Sequence, residues 1–172
     1  MSEQEAVKAP PTGLRAAGEL IFVKVPYTLG GILIFVAIAI NFTNVVGRYL
    51  FSTAVYWAEE VLVFLIIWGV FLAGIAMVYQ GSHIRMDLLS ATMRSPIKEI
   101  VGGLTALLLF VCTGFVAVQS YRVVYLYAFN GGVTITAGVP LTIPHSALLV
   151  GFALMALVAV LRLPAYLSGK FE

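Results

Sequence analysis

A chain of 172 residues in which 61% are apolar and only 10% charged is far from the roughly 25% charged content of soluble domains. Eight acidic and ten basic residues leave a net charge of +2, too small and too scattered for a nucleic-acid surface. The single cysteine, Cys112, excludes an intrachain disulfide, a CxxC redox pair and a thiolate metal cage.

In chain order, residues 1–24 carry Lys8, Arg15 and Lys24 with Pro10 and Pro11, and are expected to form an irregular cytoplasmic tail. The apolar run behind them is longer than the roughly 7 to 15 residues of a secretory signal core, and no small-x-small cleavage site follows it. It is therefore expected to remain as a membrane helix. Charged residues are absent from residues 25–47, 61–80, 100–121 and 133–161, and His145 is the one titratable side chain of the last stretch. Each stretch supplies the roughly 20 residues that a helix needs to cross about 30 Å of hydrocarbon. The fold class is thus an all-α integral membrane protein, a single membrane domain with helices at about 25–47, 61–80, 96–129 and 144–166.

Of the ten basic residues, only Arg48 and Arg122 fall on the side opposite the N-terminus when four spans are drawn. This asymmetry predicts both termini in the cytoplasm. Tyr49, Phe51, Tyr56, Trp57, Tyr121, Tyr125, Tyr127 and Phe129 then make an aromatic belt at the outer interface. Between the second and third spans, Met86, Leu89, Met93, Ile97 and Ile100 recur at three- and four-residue steps, with Arg85, Asp87, Arg94 and Lys98 in the intervening positions. The pattern predicts a short amphipathic helix lying in the cytoplasmic interface. Ser95-Pro96 reads as the cap and first residue of the third span. Asn130-Gly131-Gly132 closes that span, and the Thr-, Gly- and Pro-rich stretch up to Pro144 is non-helical.

None of the four spans has an ionisable group at its middle, where a carrier that couples ions to transport would place one. His83 and His145 fall at opposite ends of the bundle, about 30 Å apart, so they do not share a haem or a metal. No enzyme chemistry is indicated, and no cofactor is expected. Near the outer interface lie Arg48, Glu59, Glu60 and Arg122, two of each sign. A bridge from Arg48 to Glu60, supported by Asn41 and Asn44 on the same helical face, would fix the first hairpin; the alternative is four side chains snorkelling separately to water. Trp68 and Gln119 are polar-capable groups within spans and call for hydrogen bonds. Small residues four apart, Gly69 with Ala73, Gly102 with Ala106 and Ala147 with Gly151, allow close helix approach, chiefly within the chain's own bundle.

The run Asn44-Val45-Val46-Gly47-Arg48-Tyr49-Leu50-Phe51, then Trp57-Ala58-Glu59-Glu60, Trp68-Gly69-Val70-Phe71-Leu72-Ala73-Gly74 and Gly81-Ser82-His83-Ile84-Arg85-Met86-Asp87-Leu88-Leu89, resembles the small, DctQ-like membrane subunit of tripartite ATP-independent periplasmic (TRAP) transporters. The likeness is densest from Asn44 to Leu89. It implies a bacterial inner-membrane importer of organic acids, in which a periplasmic binding protein delivers substrate to a large multi-span subunit. That larger subunit would hold both substrate and Na⁺. The small subunit would brace it, contacting lipid but no nucleic acid, and would hold no substrate itself; Asn41, Asn44, Arg48, Trp57, Glu59, Glu60, Trp68, His83, Arg85, Asp87 and Arg122 are the structural and interface candidates. Two other readings are a stand-alone small exporter or channel and a membrane redox subunit.

Overall fold

The computed structural model describes residues 13–81 and 95–168. The expected interfacial helix, together with His83, Arg85 and Asp87, lies outside them. The described residues form helices α1 (Leu14–Glu19), α2 (Val25–Leu50), α3 (Ala58–Gln80), α4 (Ser95–Asn130), α5 (Thr142–Leu161) and α6 (Leu163–Ser168), with a π-helical turn, Leu20–Lys24, joining α1 to α2. Four of these helices are long and apolar enough to cross a membrane.

The expected tail is helical from Leu14 onward. Hydropathy placed a boundary at Lys24, but a charge ends a membrane span without ending a helix, and Leu, Arg, Ala and Glu all favour helix. The π turn has a local cause. Pro26 has no N–H to give, and its ring crowds the carbonyl four residues earlier; the Val25 N–H reaches back to Leu20, so the helix widens by one residue and runs on.

Helix α3 starts with Glu59 and Glu60 in its first turn, where carboxylates favour the helix dipole. It stops at Gly81, whose φ of 66° and ψ of 16° are left-handed and suit a glycine. Helix α5 breaks at Arg162, short of the expected 166, because Pro164 cannot continue its ladder. Six further residues then resume as α6.

The helices stand in a row. Helix α3 packs on α2 on one side and on α5 on the other, and α5 packs on α4. Helices α2 and α4 are therefore at opposite ends, and α6 folds back against α4. The core lies in the middle of the row, where Ile75 and Val78 of α3 meet Met155, Val158 and Ala159 of α5. Phe71 meets Phe152 edge-on with ring centroids 5.1 Å apart. Close approach depends on missing side chains. A Cβ on Gly151 would come within 2.7 Å of the Phe71 ring, and one on Gly30 within 3.4 Å of the Gly69 carbonyl. Outward, large apolar residues such as Phe35 at 73% and Phe129 at 81% exposure face away from the protein, as lipid solvation requires.

Candidate functional site

Two connections, residues 51–57 and 131–141, share one end of the row, and the charged candidates gather there. At the top of α2, Gly47 holds a tight corner: its carbonyl accepts the N–H groups of Phe51 at 3.2 Å and Thr53 at 3.0 Å. A Cβ on Gly47 would be 2.9 Å from the Thr53 carbonyl. Ser52 completes the corner with φ of 52°, an uncommon conformation for a residue with a side chain. Asn44 is buried, and its Oδ1 accepts the Val55 N–H at 2.9 Å, so the incoming chain is tied to α2 before α3 begins.

The charges pair differently from the expectation. Arg48 donates to Glu59, not to Glu60, with Nη2 and Oε1 3.1 Å apart. Glu60 spans the two connections instead: its Oε1 accepts the Thr136 N–H at 3.0 Å and its Oε2 the Ala137 N–H at 2.7 Å. The reason is angular, since adjacent helical residues point about 100° apart. Glu59 faces α2 and Glu60 faces the second connection. Arg122 donates to Gln119 one turn away at 3.3 Å, so the four charges form one ion pair, one backbone clamp and one local bond. Asn41, expected beside Asn44, is exposed and makes no hydrogen bond among the described residues.

The second connection is a short hairpin. Val133 and Pro140 bridge, the Thr134 N–H reaches the Val139 carbonyl at 2.9 Å, and the Val139 N–H reaches Thr134 Oγ1 at 3.1 Å. Gly138 turns it with φ of 64°. With Glu60 holding its middle, the tip residue Ile135 stands fully exposed. Trp57, also exposed, precedes α3, and its carbonyl accepts the Val61 N–H at 3.2 Å. Trp68 is half-buried within the row. His145 stacks on Tyr127 with centroids 4.8 Å apart.

The opposite end carries a second cluster, not anticipated from the sequence. The carbonyls of a last helical turn are the ones left short of partners, and here the Gly81 N–H reaches that of Val78 at 3.2 Å. Arg162 Nε donates to the Tyr79 carbonyl at 3.1 Å, its guanidinium lies 4.4 Å from the Tyr79 ring centroid, and the Tyr166 hydroxyl donates to the Val78 carbonyl at 2.9 Å. Burial pushes the Tyr166 phenol above its ordinary value. Phe22 stacks on the same Tyr79 at 5.7 Å. A basic residue at the end of a span was the available signal, since cations complement helix C-termini.

The arrangement can fix helix ends and present two shaped connections. The chain matches the family described as tripartite ATP-independent periplasmic transporters, DctQ component, over residues 28–165. No curated protein matches the chain in sequence.

Proposed function

Because the chain belongs to the DctQ family, a membrane component of TRAP transporters, we propose that it is the small scaffold subunit that braces the large membrane subunit of an organic-acid importer. The observation that carries this reading is where the carboxylates fall. None of the eight is at the middle of a span: Glu19, Glu59 and Glu60 stand at helix ends, and Glu59 and Glu60 are already engaged with Arg48 and with the second hairpin. A subunit so built offers no mid-span carboxylate for coupling ions to transport, which supports a bracing role. Substrate and Na⁺ belong to the large subunit.

The distribution of basic residues supports an orientation with both termini in the cytoplasm of a bacterial inner membrane. Residues 51–57 and 131–141 then face the periplasm, where a binding protein delivers its carboxylate ligand. Reconstitution tests the reading. The chain alone is expected to move no organic acid under a sodium gradient and membrane potential, whereas omitting it from vesicles that contain the large subunit and the binding protein is expected to abolish uptake. Sodium-driven uptake by the isolated chain, or undiminished uptake without it, overturns the proposal.

A further inference from the structure

Resting on that reading, we infer that the face of α2 bearing Ile34, Ile38, Asn41, Val45 and Arg48 is the seat of a transmembrane helix of the large subunit, and that this helix offers a hydrogen-bonding side chain to Asn41. The five residues recur at steps of four and three, so they share one stripe of the helix, and all five are exposed. Asn41 stands out among them. It lies seven residues before Arg48, about 10 Å further along the axis at a helical rise of about 1.5 Å per residue. It also lies seventeen residues beyond Lys24, or about 25 Å from the opposite charged end. Its carboxamide is therefore at hydrocarbon depth.

Four other polar side chains in the spans do find partners within the chain. Asn44 accepts the Val55 N–H, Thr43 donates to the Ala39 carbonyl at 2.8 Å, Thr113 donates to the Leu109 carbonyl at 2.6 Å, and Gln119 accepts from Arg122. Asn41 has two donors and an acceptor with no partner among the described residues. Hydrocarbon offers no substitute for water, so an open amide at this depth is costly unless another helix meets it.

The same side continues onto α3. Arg48 reaches Glu59 there, and Glu59, Val63, Ile66 and Val70 form an exposed stripe at helical spacing. The incoming helix is thus offered two apolar ridges, the α2 ridge carrying the Asn41 amide, closed at the top by an ion pair. A single bonded amide in an apolar seam sets register and depth more than affinity.

The test uses the assembled transporter. A benzophenone amino acid placed at position 41, and in a second variant at position 38, is expected to cross-link on irradiation to the large subunit. Adducts with lipid alone, or with a second copy of this chain, overturn the inference. Asn41→Leu is expected to weaken co-purification of the large subunit by about threefold to fifteenfold, the span of interhelical hydrogen bonds measured in bilayers, while the melting temperature of the isolated chain stays the same or rises. Unchanged co-purification overturns the hydrogen bond. If the large subunit co-purifies normally with the unlabelled chain but never cross-links at 41 or 38, this inference falls and the subunit role stands; if it does not co-purify at all, both fall.

Discussion

Glu59 and Glu60 are neighbours in sequence with different tasks, and substitution separates them. The Arg48–Glu59 pair is open to solvent, with side chains 52% and 73% exposed, so its coupling in a double-mutant cycle is expected to be about 0 to 1 kcal/mol. Thermal unfolding of R48A, E59A and the double variant measures it; strictly additive losses would leave the two as independent surface charges. Glu60→Ala acts elsewhere. It removes the acceptor of the Thr136 and Ala137 amides, so hydrogen exchange at those two residues is expected to accelerate while the 51–57 corner keeps its protection. Equal protection in E60A and wild type would mean that the hairpin holds itself. The presence of charges at this end was legible in the sequence, because charge breaks in a hydropathy profile mark interfaces. Their partners were not. Choosing between Glu59 and Glu60 requires the rotation of α3 about its axis, and that rotation is set by packing at Gly30, Gly69 and Phe71, far from the charges.

At the scale of elements, two glycines make a matched comparison. A Cβ on Gly151 would strike the Phe71 ring and its Cβ within 2.8 Å, and a ring attached to a packed helix cannot retreat. A Cβ on Gly74 would meet only the terminal methyl and the sulfur of Met155, the end of a flexible side chain. Gly151→Ala is accordingly expected to cost about 1–3 kcal/mol by overpacking, and Gly74→Ala much less, both read from thermal unfolding in one detergent. Equal costs would show that the α3–α5 contact relaxes as a whole. Helix identity was legible throughout, since four uncharged apolar stretches leave no other reading. The ends were less so: residues 14–24 are helical beyond the hydropathy boundary, and α5 stops early at Leu161, ahead of Pro164. Periodicity reports which solvent a residue meets, whereas helix ends depend on hydrogen-bond partners that lie on other elements, as Arg162 and Tyr166 do for α3.

For the whole molecule, the order α2, α3, α5, α4 gives a geometric prediction. In a Cys112→Ser background, cysteines at Gly30 and Gly69 are expected to form a disulfide between α2 and α3. Cysteines at Phe35 of α2 and Phe115 of α4 are expected to form none. A cross-link of the second pair would mean that the helices close into a bundle. That order was not readable from the sequence, because all four stretches are apolar around most of their circumference and none advertises a single buried side.

The row also changes how the protein meets the bilayer. Four helices in a closed square hide their centre and present a short perimeter to lipid, but four in single file present two broad flanks and two narrow edges. Bending such a wall about a line parallel to its helices is resisted only by the contacts at each seam, whereas bending it across the helices would mean breaking backbone ladders. The α3–α5 seam, with its interlocked aromatic rings and the Arg162 and Tyr166 caps, is the stiff joint. The α2–α3 seam is held by close-packed glycines and by two solvent-exposed polar contacts, Arg48–Glu59 and the Tyr27 hydroxyl to Gln80 Oε1, and is the more compliant one. Thin, highly curved detergent micelles should therefore open the α2 edge first, and lamellar lipid should keep it shut. Comparing hydrogen exchange of α2 with that of α5 in the two environments would show whether the wall hinges there.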